Sequence, residues 1–132
     1  MLALAIQLFP ITRDNPPVTG TIDAPAAIAA TLKRSCFDCH SNETVWPWYS
    51  RVAPASWLVA HDVHEGREHL NFSTWASLSP AERQKLFQRM AEVVQNGAMP
   101  PGIYTPLHPD ARLSLQDTTT LMEWARVNAQ GP

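Results

Sequence analysis

The chemistry in this chain is concentrated in one stretch, Cys36-Phe37-Asp38-Cys39-His40. Two thiols at that spacing lie on a single helical turn, and the imidazole follows at once. Three chemistries use such a pair. A redox dithiol would want a preceding strand and a βαβ pattern, whereas the residues before Cys36 read as helix. A structural zinc would want two more ligands at short spacing; there is no second cysteine pair, so histidines would have to complete it. The third is covalent attachment of haem c, in which each sulfur forms a thioether with one vinyl group and the next residue lies under the iron. The spacing favours the third reading, with His40 as the proximal ligand.

The opposite face of the iron then needs its own ligand. The segment Gly97-Ala98-Met99-Pro100-Pro101-Gly102 is stiff and non-helical, and it carries Met99 as a thioether on a rigid loop. The other reading of Met99 is a side chain filling a gap in the core. His108 is the main competitor for the iron, with His61 and His64 behind it. His108 could instead bond a propionate or a loop carbonyl, and the other two could form a solvated helix face. Trp46, Trp48 and Tyr49 follow the motif in a stretch too aromatic for an exposed loop. With Trp57 they are the candidate haem contacts, and rings packed there would lower the local dielectric and move a redox potential. Aromatic core without cofactor contact is the alternative.

These residues must be held by helices, because no strand pattern appears. The expected class is all-α, with about four helices joined by long Pro-rich loops; twelve prolines are many for 132 residues. Ile28, Leu32 and Cys36 recur at four-residue spacing, predicting a first helix capped by Asp23 and running to about Ser35. A second helix is expected from about Ser56, interrupted mildly by Gly66. Ser79-Pro80-Ala81-Glu82 is a capping box opening a third, ended by Gly97, with Leu86, Phe87, Met90, Val93 and Val94 as its buried stripe. Ser114 to Asp117 opens a last helix to about Ala129, with Leu121, Trp124 and Ala125 inward.

The net charge of −2 and the absence of a basic run argue against nucleic acid as a partner. Residues 1–20 read as an apolar N-terminal segment followed by an extended linker, and 21–132 as a haem c-binding domain. Met1 to Phe9 is too short to cross a bilayer, which takes about 20 residues. It is expected to be the tail of a membrane anchor; a short apolar arm packed on the domain is the other reading. Haem c is attached after export, so the expected location is the periplasm or the outer face of the cytoplasmic membrane.

The order of parts resembles that of class I cytochromes c. More specifically, the chain is similar to the bacterial haem-binding domain family of small, often membrane-anchored c-type cytochromes. The resemblance rests on NPPVTG (15–20), CFDCHSNETVWPWYS (36–50), APASWLV (53–59), EGREHLNFSTW (65–75), MPPGIY (99–104) and HPDARLS (108–114). It implies export, one covalent haem and electron handling. With His40 and Met99 both on iron, the expected function is electron transfer to transient redox partners rather than enzymatic turnover. An enzyme or sensor of peroxide or a small gas, with an open or His-capped distal site, is the alternative.

Overall fold

A computed structural model describes residues 5–131. Five α-helices appear among them: α1 (Ala26–Ser35), α2 (Phe37–His40), α3 (Ala55–His69), α4 (Pro80–Gln95) and α5 (Leu115–Ala129). The only β pairing among the described residues is an isolated bridge between Gly20 and Thr74. The all-α expectation therefore holds, with four full helices and one short turn.

The two strongest sequence signals give the firmest helix starts. Ser79 and Ser114 both cap, each accepting from the backbone three residues on while that residue's carboxylate returns to the cap N–H. These boxes satisfy donors that a helix start otherwise leaves unpaired. At the far end of α4, Gly97 adopts a positive φ of 72°, which suits a residue without Cβ. Asp23 does not cap α1. The cap position is Pro25, with no side-chain bond, and the helix begins at Ala26.

α4 and α5 pack on one another and supply half of the buried core cluster. Phe87, Met90, Ala91 and Val94 face Leu121 and Ala125, the last two with 0% exposure. Met90 is core, as its position in the stripe predicts, while Leu86 and Val93 are only partly buried. Trp124 is half-buried, edge-on to Phe87 at 5.1 Å between ring centres. Ile28 and Leu32 bring α1 into the same core, and Arg34 pairs with Asp117 at 2.9 Å, tying α1 to the start of α5. Rings then lead from this core to the motif: Phe87 meets Trp75, Trp75 meets Phe72, and Phe72 stacks on Phe37 at 5.3 Å. The aromatics of the Asn71–Trp75 loop thus anchor it, since Phe72 and Trp75 are buried.

The extended segment before α1 is fastened along its length. Arg13 donates to the Ser50 carbonyl, Asn15 to that of Thr44, and Thr19 and Gly20 to that of Ser73. Further back, Gln7 bonds both backbone groups of Ala53, and Phe9 lies edge-on to Trp57. Residues from Gln7 to Phe9 therefore lie against the start of α3. Ala5 and Ile6 lead into this segment, and Met1 to Leu4 of the expected anchor remnant fall outside the described residues. No helix among the described residues is long and apolar enough to cross a membrane.

Candidate haem site

The attachment stretch is built as a break between helices. α1 ends at Ser35; Cys36 turns out at φ −129°, and α2 restarts at Phe37 to give the single turn that carries Cys39 and His40. Backbone bonds from Cys39 and His40 N–H to the Cys36 carbonyl close it. Both cysteines are free thiols and half-buried. Burial pushes the Cys36 thiol up to about 12 and the Cys39 thiol up to about 11, so both sulfurs are held as neutral thiols.

His40 is oriented by the end of α3. Its Nδ1 lies 2.8 Å from the Gly66 carbonyl and 3.0 Å from the Leu70 carbonyl. Two acceptors at one nitrogen require Nδ1 to carry the hydrogen, which leaves Nε2 with its lone pair free, as a metal-bound imidazole requires. Burial lowers the His40 pKa and so favours the neutral ring.

Gly66 makes this possible. An added Cβ there would press into the Cys39 carbonyl oxygen and lie 3.0 Å and 3.1 Å from the Cys39 carbonyl carbon and Cβ. The absent side chain lets α3 lie directly on the attachment turn. Sequence reading treats Gly66 only as a mild interruption; its placement one turn from the end of a helix otherwise rich in side chains was the available signal.

A second device is the Arg67 guanidinium. It donates to the Ser41 carbonyl at 2.8 Å and, through one terminal nitrogen, to Asp14 O, Asn15 Oδ1 and Thr44 Oγ1 at 3.0 Å each. It clamps the segment after His40 to the strap before α1. Nothing in the local sequence marks it out from other helix-surface arginines.

A cleft opens beside Cys39, bordered by Val45, Tyr49, Val63, Tyr104 and His108. Its far wall is a polar network. Tyr104 O–H donates to Asp38 Oδ2 at 2.7 Å, the Tyr104 ring stacks on His108 at 4.0 Å, and the Tyr49 hydroxyl bonds His108 Nε2. Burial and the Asp38 carboxylate both raise the Tyr104 pKa, so its hydroxyl stays protonated as the donor.

Of the sequence-predicted site residues, Cys36, Cys39, His40, Tyr49 and His108 gather around this turn and cleft. Trp46 is half-buried, lies in the chain between the cleft-lining Val45 and Pro47, and holds its indole N–H buried without a partner. Trp48 stands edge-on to Tyr49 but is 77% exposed. Trp57 is not among the side chains around the cleft and meets Phe9 instead. Met99 is also outside that lining; it is exposed, with its N–H bonded to the Val93 carbonyl. His61 and His64 are exposed on α3, with His64 3.3 Å from Glu68.

These features fit a haem. Two thiols share a turn, an adjacent imidazole presents Nε2, an apolar-sided cleft adjoins them, and Trp46, between the cleft-lining Val45 and Pro47, holds a buried indole N–H without a partner. Haem carboxylates are acceptors of the kind that donor lacks. No group of three or more His, Cys, Asp or Glu side chains suited to a metal ion occurs among the described residues, which leaves the zinc reading without a ligand set. Comparison with curated proteins and with solved structures gives no match. A family model described as a haem-binding domain matches residues 1–127, almost the whole length. The chain belongs to the haem-binding domain family and is a haem protein.

Proposed function

We propose that this haem protein is a mono-haem c-type cytochrome, with the haem joined through thioethers to Cys36 and Cys39, that carries single electrons. The observation that carries the reading is the pairing of the CxxCH turn with a His40 ring whose Nδ1 is taken by two carbonyls. A bound haem of this kind supplies an Fe(II)/Fe(III) couple that moves one electron without bond rearrangement. The protein's part is to hold His40 Nε2 in place, to keep the ring neutral, and to shield the site with the chain from Ser41 to Ser50. Contact between α1 and α5 near the attachment turn supports a class I-like arrangement.

Met99 is the proposed sixth ligand, because its loop is stiffened by Pro100 and Pro101 and its thioether is exposed and uncommitted to the core. A second reading is favoured by a specific observation: His108, on the same connection between α4 and α5, already borders the cleft beside Cys39. A thioether favours ferrous iron and gives a higher potential than two imidazoles. Redox proteins that dock transiently through a small interface are the proposed partners. The proposed location is the periplasm or the outer face of the cytoplasmic membrane, where haem c is attached.

The test is a potentiometric titration followed in the visible spectrum. A reversible one-electron wave, low-spin spectra and no carbon monoxide binding by the unmodified protein are expected. Met99→Ala should lower the potential and admit carbon monoxide, while His108→Ala leaves both unchanged. The reverse pattern assigns the sixth position to His108. High-spin iron that takes carbon monoxide in the unmodified protein would replace electron transfer by an open-site enzyme or sensor.

A further inference from the structure

The start of α3 carries a surface for which the haem site has no use. Leu8, Phe9, Val52, Trp57 and Leu58 are all exposed. They form one face: Phe9 packs edge-on against Trp57 at 6.4 Å between ring centres, and Gln7 bonds both backbone groups of Ala53, next to Val52. Isolated exposed apolar side chains are ordinary, but a cluster that includes two aromatic rings marks an interaction site.

A cavity of about 310 Å³ opens into this face between residues 6–13 and the turn before α3. Arg13 and Arg51 both line it, together with Leu8 and Phe9, and no carboxylate does. Arg13 is steadied by its bond to the Ser50 carbonyl at 3.1 Å, and Arg51 is the next residue along the chain. Two guanidiniums share a concave site with the exposed Leu8 and Phe9, and Trp57 packs on the Phe9 ring beside it. That combination complements an anionic amphiphile: the cations suit a phosphate, and Phe9, Trp57 and Leu58 suit the headgroup–acyl boundary. A free anion would use the arginines and leave the apolar side chains in water. A protein partner's apolar patch would cover those side chains and leave two buried cations to be matched.

We propose that this face lies on a bilayer and seats the headgroup of an anionic phospholipid between Arg13 and Arg51. The cleft beside Cys39 shares no lining residue with this cavity, and the proposal does not depend on the redox reading.

The test uses the full chain bearing its haem, floated with vesicles of phosphatidylcholine alone or containing about one part in three of phosphatidylglycerol. Binding to the anionic vesicles and weak binding to the neutral ones is expected. Arg51→Gln should reduce the partition coefficient about fivefold, and the pair Arg13→Gln, Arg51→Gln about 25-fold, since each cation at a charged surface contributes roughly that factor. Trp57→Ser should weaken binding to both vesicle types. An unchanged Soret band and melting temperature in Arg51→Gln shows that the fold is intact. Four results overturn the proposal. These are binding to neither vesicle, and equal binding to both that Arg51→Gln does not alter, which would mark simple insertion of the apolar segment. The others are loss of binding to millimolar inorganic phosphate without any effect of Trp57→Ser, and self-association that Trp57→Ser abolishes. A colourless preparation that still floats selectively would remove the haem reading and leave this one standing.

Discussion

Gly66→Ala tests the positioning of His40 by a change of sign. At an exposed mid-helix site this substitution stabilises a helix by up to about 1 kcal/mol. Here the new Cβ would press on the Cys39 carbonyl and lie 3.0 Å and 3.1 Å from its carbon and Cβ. Ordinary carbon contacts are about 3.5–4.0 Å, so α3 and the attachment turn must separate by roughly 0.5–1 Å. The obstacle is backbone, with no flexible side chain to swing aside. Overpacking of this kind costs about 1–3 kcal/mol and exceeds the propensity gain. The same separation stretches the 2.8 Å bond from His40 Nδ1 to the Gly66 carbonyl. Gly66→Ala should therefore lower the melting temperature by roughly 5 °C, at about 3–5 °C per kcal/mol for a chain of this size. It should also alter the axial ligand field of the oxidised haem, measured by electron paramagnetic resonance. A melting temperature that rises, with an unchanged resonance spectrum, would refute the reasoning.

Other outcomes follow from the same contacts. Arg67→Ala removes bonds to Ser41, Thr44, Asp14 and Asn15 and should destabilise by about 2–4 kcal/mol in a denaturant titration, with Arg67→Lys recovering only part. Tyr104→Phe keeps the ring on His108 but loses the bond to Asp38, costing about 1–2 kcal/mol by the same assay. In the chain produced without haem, Cys39 has its thiol raised by burial to about 11, so alkylation at pH 8 should run about a hundredfold slower than for a free thiol. Because the folded values of Cys36 and Cys39 lie above the ordinary 9.0, that haem-free chain keeps their contribution to stability below pH 9. It loses the contribution as pH rises through about 11 to 12, which thermal melts across that range would show.

The helices that begin at Ser79 and Ser114 were legible because a capping box is a local signal that depends on no distant residue. Leu121, Ala125 and Met90 were legible for the related reason that a 3.6-residue period marks the buried face directly. The Cys36–His40 turn was legible from spacing alone. What escaped depends on residues far apart in the chain. Gly66 matters only because α3 folds back onto Cys39, and Arg67 only because residues 14–15 return beside Ser41 and Thr44. Tyr104, Asp38, His108 and Tyr49 meet from three separate segments, so no window of sequence contains their network. The prolines and polar residues of the linker before α1 do not disclose that Asn15, Thr19 and Gly20 are fastened to the body. Trp57 shows the limit of composition: nothing in its own sequence neighbourhood discloses its edge-on contact with Phe9, which comes from a segment 48 residues earlier.

The central claim is that haem is held by covalent bonds to the first turn after α1. Intact mass spectrometry of the natively matured protein, denatured in acid, tests it most directly. The expected result is a chain heavier by one haem, a bis-thioether haemochrome spectrum in alkaline pyridine, and no reaction of either sulfur with a thiol reagent. Replacing both Cys36 and Cys39 with alanine should return the bare polypeptide mass. A wild-type chain at polypeptide mass, with two reactive thiols and haem released by the acid, would contradict it.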